Sequence, residues 1–348
     1  MRKLLQLITI TTLISVQVFA SGFQINEHGA RGMAMAGAYT ALALDGSALY
    51  YNPAGLSQLS GTQFMLGTTL ISPSAAFRGV TPNIDEYNME SALFTPINLY
   101  ITHQLSEKMT FGFGVNNQYG LGSKWEEDWI GKYLAIDTEI QTFYFTGGAS
   151  YKLSDAFSIG ATFSYVYGNV TILKKNPLTP FQGDAEIDLE GTAGSYAYSA
   201  GLLFTPSDVL SIGLDFRSGT SMNFSGTAEV IAPQALLDAQ QIPNGSVEAP
   251  LTLPYNATIG IALKPSDALT ISLDYQYVGW SSYDKMEITF EDFLNEEGDP
   301  YVSTAIRDYT DGSIVRLGME YSLNENFDLR SGILYDYNPV KDEYVEPS

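Results

Sequence analysis

The chain has no cysteine among its 348 residues, which excludes a disulfide framework and any thiolate metal site. Histidine is almost as scarce: His28 and His103 are the only two, and neither stands in a pattern that would activate a serine. Both read as structural, so no catalytic residue, metal ligand or cofactor is expected. Base is in short supply, with 17 Lys and Arg against 39 Asp and Glu and a net charge of -22. Nucleic acid binding needs a basic surface and is excluded as a function. Long apolar runs are missing too. Beyond the amino terminus no stretch approaches the roughly 18 consecutive apolar residues of a membrane helix.

The amino terminus itself is distinctive. Arg2 and Lys3 precede an apolar run from Leu4 to Val18, and Val18-Phe19-Ala20 offers small residues at both recognition positions. Residues 1–20 read as a secretory signal peptide cut after Ala20. Its removal takes 17 bases to 15 and the net charge from -22 to -24. Export without a stop-transfer helix leaves the periplasm, the outer membrane or the medium. The acid runs Glu126-Glu127-Asp128 and Glu296-Glu297 fall between candidate strands, where solvated loops explain them.

What the chain does have is alternation. Phe143, Phe145, Gly147, Ala149 and Tyr151 interleave with Thr142, Tyr144, Thr146, Gly148 and Ser150, and Leu269, Ile271, Leu273, Tyr275 and Tyr277 with Thr270, Ser272, Asp274 and Gln276. Successive side chains on a strand point to opposite faces, so each segment has one apolar and one polar face. Many such strands in series describe a transmembrane antiparallel β-barrel with lipid outside and a polar interior. The 23 tyrosines and 18 phenylalanines suit aromatic girdles at two membrane interfaces. Eleven strands are expected, at 62–71, 97–105, 110–117, 139–152, 157–172, 186–205, 209–227, 251–263, 268–290, 312–323 and 327–337. Five connections are short and alike, among them Leu105-Ser-Glu-Lys-Met109 and Leu153-Ser-Asp-Ala-Phe157, while those at 72–96, 118–138, 173–185, 228–250 and 291–311 are long. Short turns on one rim and long loops on the other fit periplasmic and extracellular ends.

Residues 21–60 differ. They are rich in Gly and Ala and poor in large apolar side chains, too few to build a core of their own. They read as a small-residue helical plug, or hatch, inside the lumen, with the barrel over 61–348. Eleven is odd, whereas single-chain bacterial barrels have even strand numbers, and the chain stops within an apparent loop, so a carboxyl-terminal truncation is expected.

Specific motifs add to this. Gly22-Phe23-Gln24-Ile25-Asn26-Glu27, Gly32-Met-Ala-Met-Ala-Gly37, Asp45-Gly-Ser-Ala48 and Tyr51-Asn52-Pro53-Ala54-Gly55-Leu56 resemble the FadL-type transporters of long-chain fatty acids and other hydrophobic compounds. Tyr119-Gly-Leu-Gly122, Trp280-Ser-Ser-Tyr283 and Arg330 through Val340 extend the resemblance. It implies a fourteen-stranded barrel with a luminal hatch in the bacterial outer membrane. It implies passive passage of a long-chain fatty acid or other hydrophobic small molecule, captured by outer loops and released sideways into outer-membrane lipid at an inward kink of the third strand. A polar pore would oppose an acyl chain, because each methylene moved out of apolar surroundings costs about 0.8 kcal/mol. A monomer is expected.

Candidate site residues follow. Asn52, Pro53 and Ala54 carry the hatch motif, either supporting the lateral gate or simply ending a plug helix. Gly112 and Gly114 would let the third strand bend. Trp125, Trp129 and Tyr133, four apart, with Ile130 and Leu134 beside them, would form one helical stripe, suited to a capture groove or to packing on the rim. Ala235-Leu236-Leu237 is a candidate facing wall. Phe23 reads as a pocket residue, a plug anchor, or both. The family is expected to hold a carboxylate with luminal cations, but Gly168-Asn169 follow Val166-Tyr167, where one is sought; Lys174 and Lys175 lie further toward the loop. Relatives passing neutral aromatic hydrocarbons need no such cation. Arg217, Arg316 and Arg330 face the lumen by alternation with Asp215, Glu320 and Asp328, which suits an ion-pair network. The rival functions are a general diffusion porin, a lipid-acting barrel enzyme, and an adhesin or phage receptor using the long loops.

Overall fold

The computed structural model describes residues 22–79, 82, 84–178, 183–238 and 242–347. The expected cleavage after Ala20 lies outside them. Eleven strands follow one another across a single antiparallel sheet: β1 (Thr62–Thr68), β2 (Ile97–Ser106), β3 (Met109–Asn116), β4 (Asp137–Ser154), β5 (Phe157–Pro177), β6 (Asp184–Ser207), β7 (Leu210–Arg217), β8 (Asn256–Ser266), β9 (Leu269–Val278), β10 (Gly312–Asn324) and β11 (Phe327–Asp336). The five short connections are two-residue hairpin loops, closed by Ser106↔Met109, Ser154↔Phe157, Ser207↔Leu210, Ser266↔Leu269 and Asn324↔Phe327. Their Ser, Asp and Asn residues nucleate the turns. The sheet curls on itself: Tyr119, just past β3, donates to the carbonyl of Pro254, just before β8, at 3.0 Å.

Faces follow composition along each strand. Toward the hairpin turns, β6 turns Tyr196, Tyr198, Leu202 and Phe204 outward and exposed, while Ser199 is buried inside. Toward the long loops the same strand reverses, burying Ile187 and Leu189 and pointing Asp188 and Glu190 out. The wall is therefore greasy outside at membrane depth and greasy inside above it. Three of the expected strands are broken at this level. The run 209–227 breaks at Ser218-Gly219 into β7 and Thr220–Ile231, 251–263 breaks at Pro254-Tyr255, and 268–290 breaks around a 3-10 turn at Trp280–Ser282. Thr220–Ile231, Gly245–Leu253, Lys285–Leu294 and Pro300–Ile306 continue the wall outward from β6; the last of these falls in what reads as a loop from sequence.

Residues 22–60 pack against the inner face. They hold two short helices, α1 (Ala30–Ala34) and α2 (Ala48–Tyr51), and a 3-10 turn at Pro53–Gln58. Cross-strand glycine pairs seat them. Gly160↔Gly201 lies under Asn52-Pro53, where an added Cβ would come within 2.3 Å of Pro53 and 2.1 Å of the Asn52 amide. Gly213↔Gly260 lies under Thr40-Ala41, Gly318↔Gly332 under Met35, and Gly112↔Gly148 under Leu49. Only glycine allows such close approach. Charge completes the seating: the Asp274 carboxylate on β9 accepts from the backbone N–H groups of Tyr39 at 3.0 Å and Thr40 at 2.9 Å. Glu320 on β10 pairs with Arg31 at 2.6 Å and with Arg330 at 2.5 Å.

Candidate functional site

Above this seated segment lies a cavity of about 410 Å³, a volume in the usual range for small-molecule sites. Its walls come from the inward apolar residues of the upper strands, including Ile140 and Ile172 on β4 and β5, Leu189 on β6, Phe224, Leu251 and Ile288. Phe23 forms the floor, buried, with its ring edge-on to Trp280 at 5.0 Å and to Tyr283 at 5.8 Å. Tyr133 and Leu134 stand at the mouth with Tyr344 and Val345. The charged groups lining it are two cations and one anion: Lys174, Arg307 and Glu346. Arg307 Nε donates to the Tyr283 hydroxyl at 3.2 Å, and its guanidinium is ion-paired with Glu346.

Beneath Phe23 the interior turns polar. Tyr119 accepts from Asn256 Nδ2 at 3.2 Å, Gln276 donates to Asn256, Arg316 Nη1 donates to Gln276 at 2.6 Å, and Arg316 Nη2 reaches Asn26 at 3.1 Å. The Arg217 guanidinium lies 4.0 Å over the Tyr50 ring and 3.4 Å from Asp215. The free spaces among these groups measure about 20 and about 10 Å³, each no more than a water needs. Arg217 and Arg316 thus sit below the cavity, and Arg330 joins the Glu320 network. Among the described residues no cluster of acids and histidines could hold a metal ion.

The third strand departs from regular pairing beside this floor while staying bonded to β4, with Thr142 N donating to Tyr119 O at 3.2 Å and Asn117 Nδ2 to Thr142 O at 2.7 Å. Gly112 and Gly114 are hydrogen-bonded in register to both neighbours, so the strand does not bend there. The departure comes later, at Asn117–Tyr119, where three residues stand opposite Thr142 and Phe143 before pairing with β4 resumes at Gly120↔Gln141. The freed edge is taken by the N-terminal segment: Ile25 N donates to Gln118 O at 2.9 Å, and Gly120 N to Phe23 O at 2.9 Å. The Phe94 ring lies against Gly122, just past this irregularity.

Asn52 is fully buried and works as a three-way clamp. Its amide nitrogen donates to Thr40 O at 2.9 Å and Leu202 O at 3.0 Å, and its amide oxygen accepts from Ala54 N at 3.0 Å. Pro53 and Ala54 lie on the β5–β6 glycine pair, while the helix before them and the 3-10 turn they open also lie against the third strand.

The loop stripe differs from expectation. Trp125–Ile136 is a run of turns without a helix, and Trp125 and Trp129 are buried, stacked on each other at 4.3 Å. Phe77 and Tyr87 pack edge-on against Trp129. Two large rings in water are better buried against one another than aligned on an exposed face. Ile130, Tyr133 and Leu134 remain exposed. Lys175 and Lys132 pair with Asp128 at 3.2 and 3.3 Å, hold its carboxyl below the usual range, and tie this loop to the end of β5. Leu236 sits in a separate cluster with Leu178 and Ile242, away from the tryptophans.

Sequence reasoning missed Arg307. It is a lone base in a long acidic loop, and only its place beside Tyr283 gives it meaning. Lys174 is legible as a base near the loop, but alternation alone does not reveal that the strand carries it above the membrane, where inward means cavity.

A family model described as outer membrane protein transport protein (OMPP1/FadL/TodX) matches residues 11–348. The long-chain fatty acid transport protein of Salmonella typhi is 24% identical over 358 residues, covering 94% of this chain and 80% of the relative. Outer membrane protein P1 of Haemophilus influenzae is 22% identical, covering 91% and 77%. Among solved structures, a Pseudomonas aeruginosa FadL homologue superposes with a TM-score of 0.80 at 18% identity, covering 94% of this chain and 84% of that one. The Ralstonia pickettii toluene transporter TbuX superposes with a TM-score of 0.74 at 19% identity, covering 90% and 87%.

Proposed function

Because the chain belongs to the outer membrane protein transport family (OMPP1/FadL/TodX), we propose a specific route for its cargo through the cavity described above. The protein is an outer-membrane β-barrel and a passive transporter of hydrophobic molecules. In our reading, Ile130, Tyr133 and Leu134 offer the first apolar contact, the cavity holds the cargo, and residues 21–60 act as the hatch beneath it. Asn52-Pro53-Ala54 clamps that hatch. Cargo leaves sideways at Gln118–Gly120. The relatives named above point to fatty acids and to toluene as cargo classes. Lys174 and Arg307 suit a cargo with an apolar body and a carboxylate end, since a partly desolvated cation attracts a carboxylate more strongly than the same cation does in bulk water.

The observation that carries the route is the floor. Under an apolar cavity of about 410 Å³ the charged and amide groups are hydrogen-bonded to one another, with spaces of about 20 and about 10 Å³ among them. A hydrocarbon moved down that path would lose its apolar surroundings and break buried hydrogen bonds, at about 1–3 kcal/mol for each group left unpaired. The sideways path meets Phe94 and a strand edge instead.

A reversible crosslink tests this. The chain has no cysteine, so thiols placed at Ile97 and Asn117, where β2 and β3 part, would be the only pair. Bridging them with a short bis-methanethiosulfonate reagent, which joins the two thiols through disulfides, should abolish hydrophobic uptake, and reduction of those disulfides should restore it. Undiminished uptake, with the bridge confirmed by mass spectrometry, would show that cargo leaves by another path.

A further inference from the structure

We infer that Glu346 is a built-in competitor for the anion seat of the cavity, and that an incoming carboxylate lifts residues 338–347 off the mouth by displacing it. The inference rests on the carboxylate reading of Lys174 and Arg307 given above. The two partners of the ion pair are unequal. The Arg307 side chain is 9% exposed and is held from the cavity wall by Tyr283, whereas the Glu346 side chain is 33% exposed and reaches in from the rim. The cation is fixed and the carboxylate is the guest.

Charge supports an exchange rather than a permanent lock. The lining carries two cations and one anion, so one positive charge stays unbalanced inside a chain whose net charge is -22. A second carboxylate is therefore drawn to the mouth while Glu346 is still in place. The segment bearing Glu346 is a strap held mainly near its ends. Pro339 O accepts from Thr310 N at 2.9 Å, Lys341 pairs with Asp308, and Pro347 O accepts from Trp125 Nε1 at 2.9 Å. Between these ties Val340, Tyr344 and Val345 form part of the cavity wall. A neutral cargo offers Arg307 no charge in place of the Glu346 carboxylate, so displacing it exchanges a charge-assisted contact for a weaker one. The strap thereby favours carboxylates over neutral molecules of the same length.

The test uses the full-length protein in lipid nanodiscs, with laurate and dodecanol as probes and titration calorimetry as the readout. Glu346→Gln should tighten laurate about tenfold and move dodecanol less than about twofold, the size expected when one competing charge is removed. Arg307→Gln should weaken laurate by at least about tenfold. If Arg307→Gln weakens laurate but Glu346→Gln leaves it unchanged, the seat exists and the competitor does not. If Glu346→Gln tightens both probes alike, Glu346 is a steric obstacle and the inference fails. If laurate ignores Arg307→Gln, the carboxylate reading falls, and this inference with it.

Discussion

The chemistry of single residues is concentrated where the chain satisfies buried polar groups at long range. Asn52 makes three hydrogen bonds inside the barrel, one of them to Leu202 O on β6. Asn52→Ala should cost about 2 kcal/mol, because it strands the Thr40 and Leu202 carbonyls in a dry site. It should also speed protease cleavage within residues 30–50 more than within the strands. Equal protection of wild type and variant would show that the clamp is dispensable. The motif itself was readable, since Asn followed by Pro and Ala is an unusual turn. Its partner was not, because a main-chain carbonyl carries no signature in sequence. Arg307 was hidden for a similar reason: a base among loop acids reads as solvated until its neighbour Tyr283 is known.

Along the elements, alternation was legible and its meaning was not. Eight of the eleven strands stand close to their expected positions, and the other three are each split in two. The breaks at Ser218-Gly219 and Pro254-Tyr255 went unread because the apolar pattern runs straight through them. Leu214, Phe216, Met222 and Phe224 all occupy even positions, yet the first pair is exposed outside and the second buried inside. A two-residue break turns the strand over just where the apolar side changes from lipid to cavity, so parity continues while the facing inverts. The expected helix at Trp125 failed for a different reason: spacing by four is also produced by turns that stack two rings. Depth on the wall can be checked directly. Leu214→Arg, on the lipid face, should destabilise the barrel by about 2–4 kcal/mol, whereas Asp188→Arg, above the band, should cost less than about 1 kcal/mol. Urea unfolding in vesicles measures both, and equal costs would misplace the membrane level.

At the scale of the whole molecule, the barrel and the segment inside it divide the work. The wall supplies the membrane span and the cavity, and residues 22–60 pack over the inward groups Asp274, Arg316, Arg217 and Glu320. Deleting 21–60 should leave a barrel that still inserts, since no lipid-facing residue is lost. Those charges would then line open water, and single-channel recordings should show steady ion conductance where the intact protein shows almost none. Unchanged conductance would place the segment outside the lumen.

The glycine seats also set an order in time. The segment they hold precedes every strand of the sheet in the chain. Its seats are spread from β3 to β11, and the pair under Met35, Gly318 with Gly332, is complete only when the far edge of the sheet has been synthesised. A segment that precedes these strands in the chain therefore reaches its place only after them. It must wait in water, in company with whatever escorts the unfolded chain. Until then Met35, Tyr39, Leu49 and Leu56, all buried in the finished molecule, have no wall to cover them.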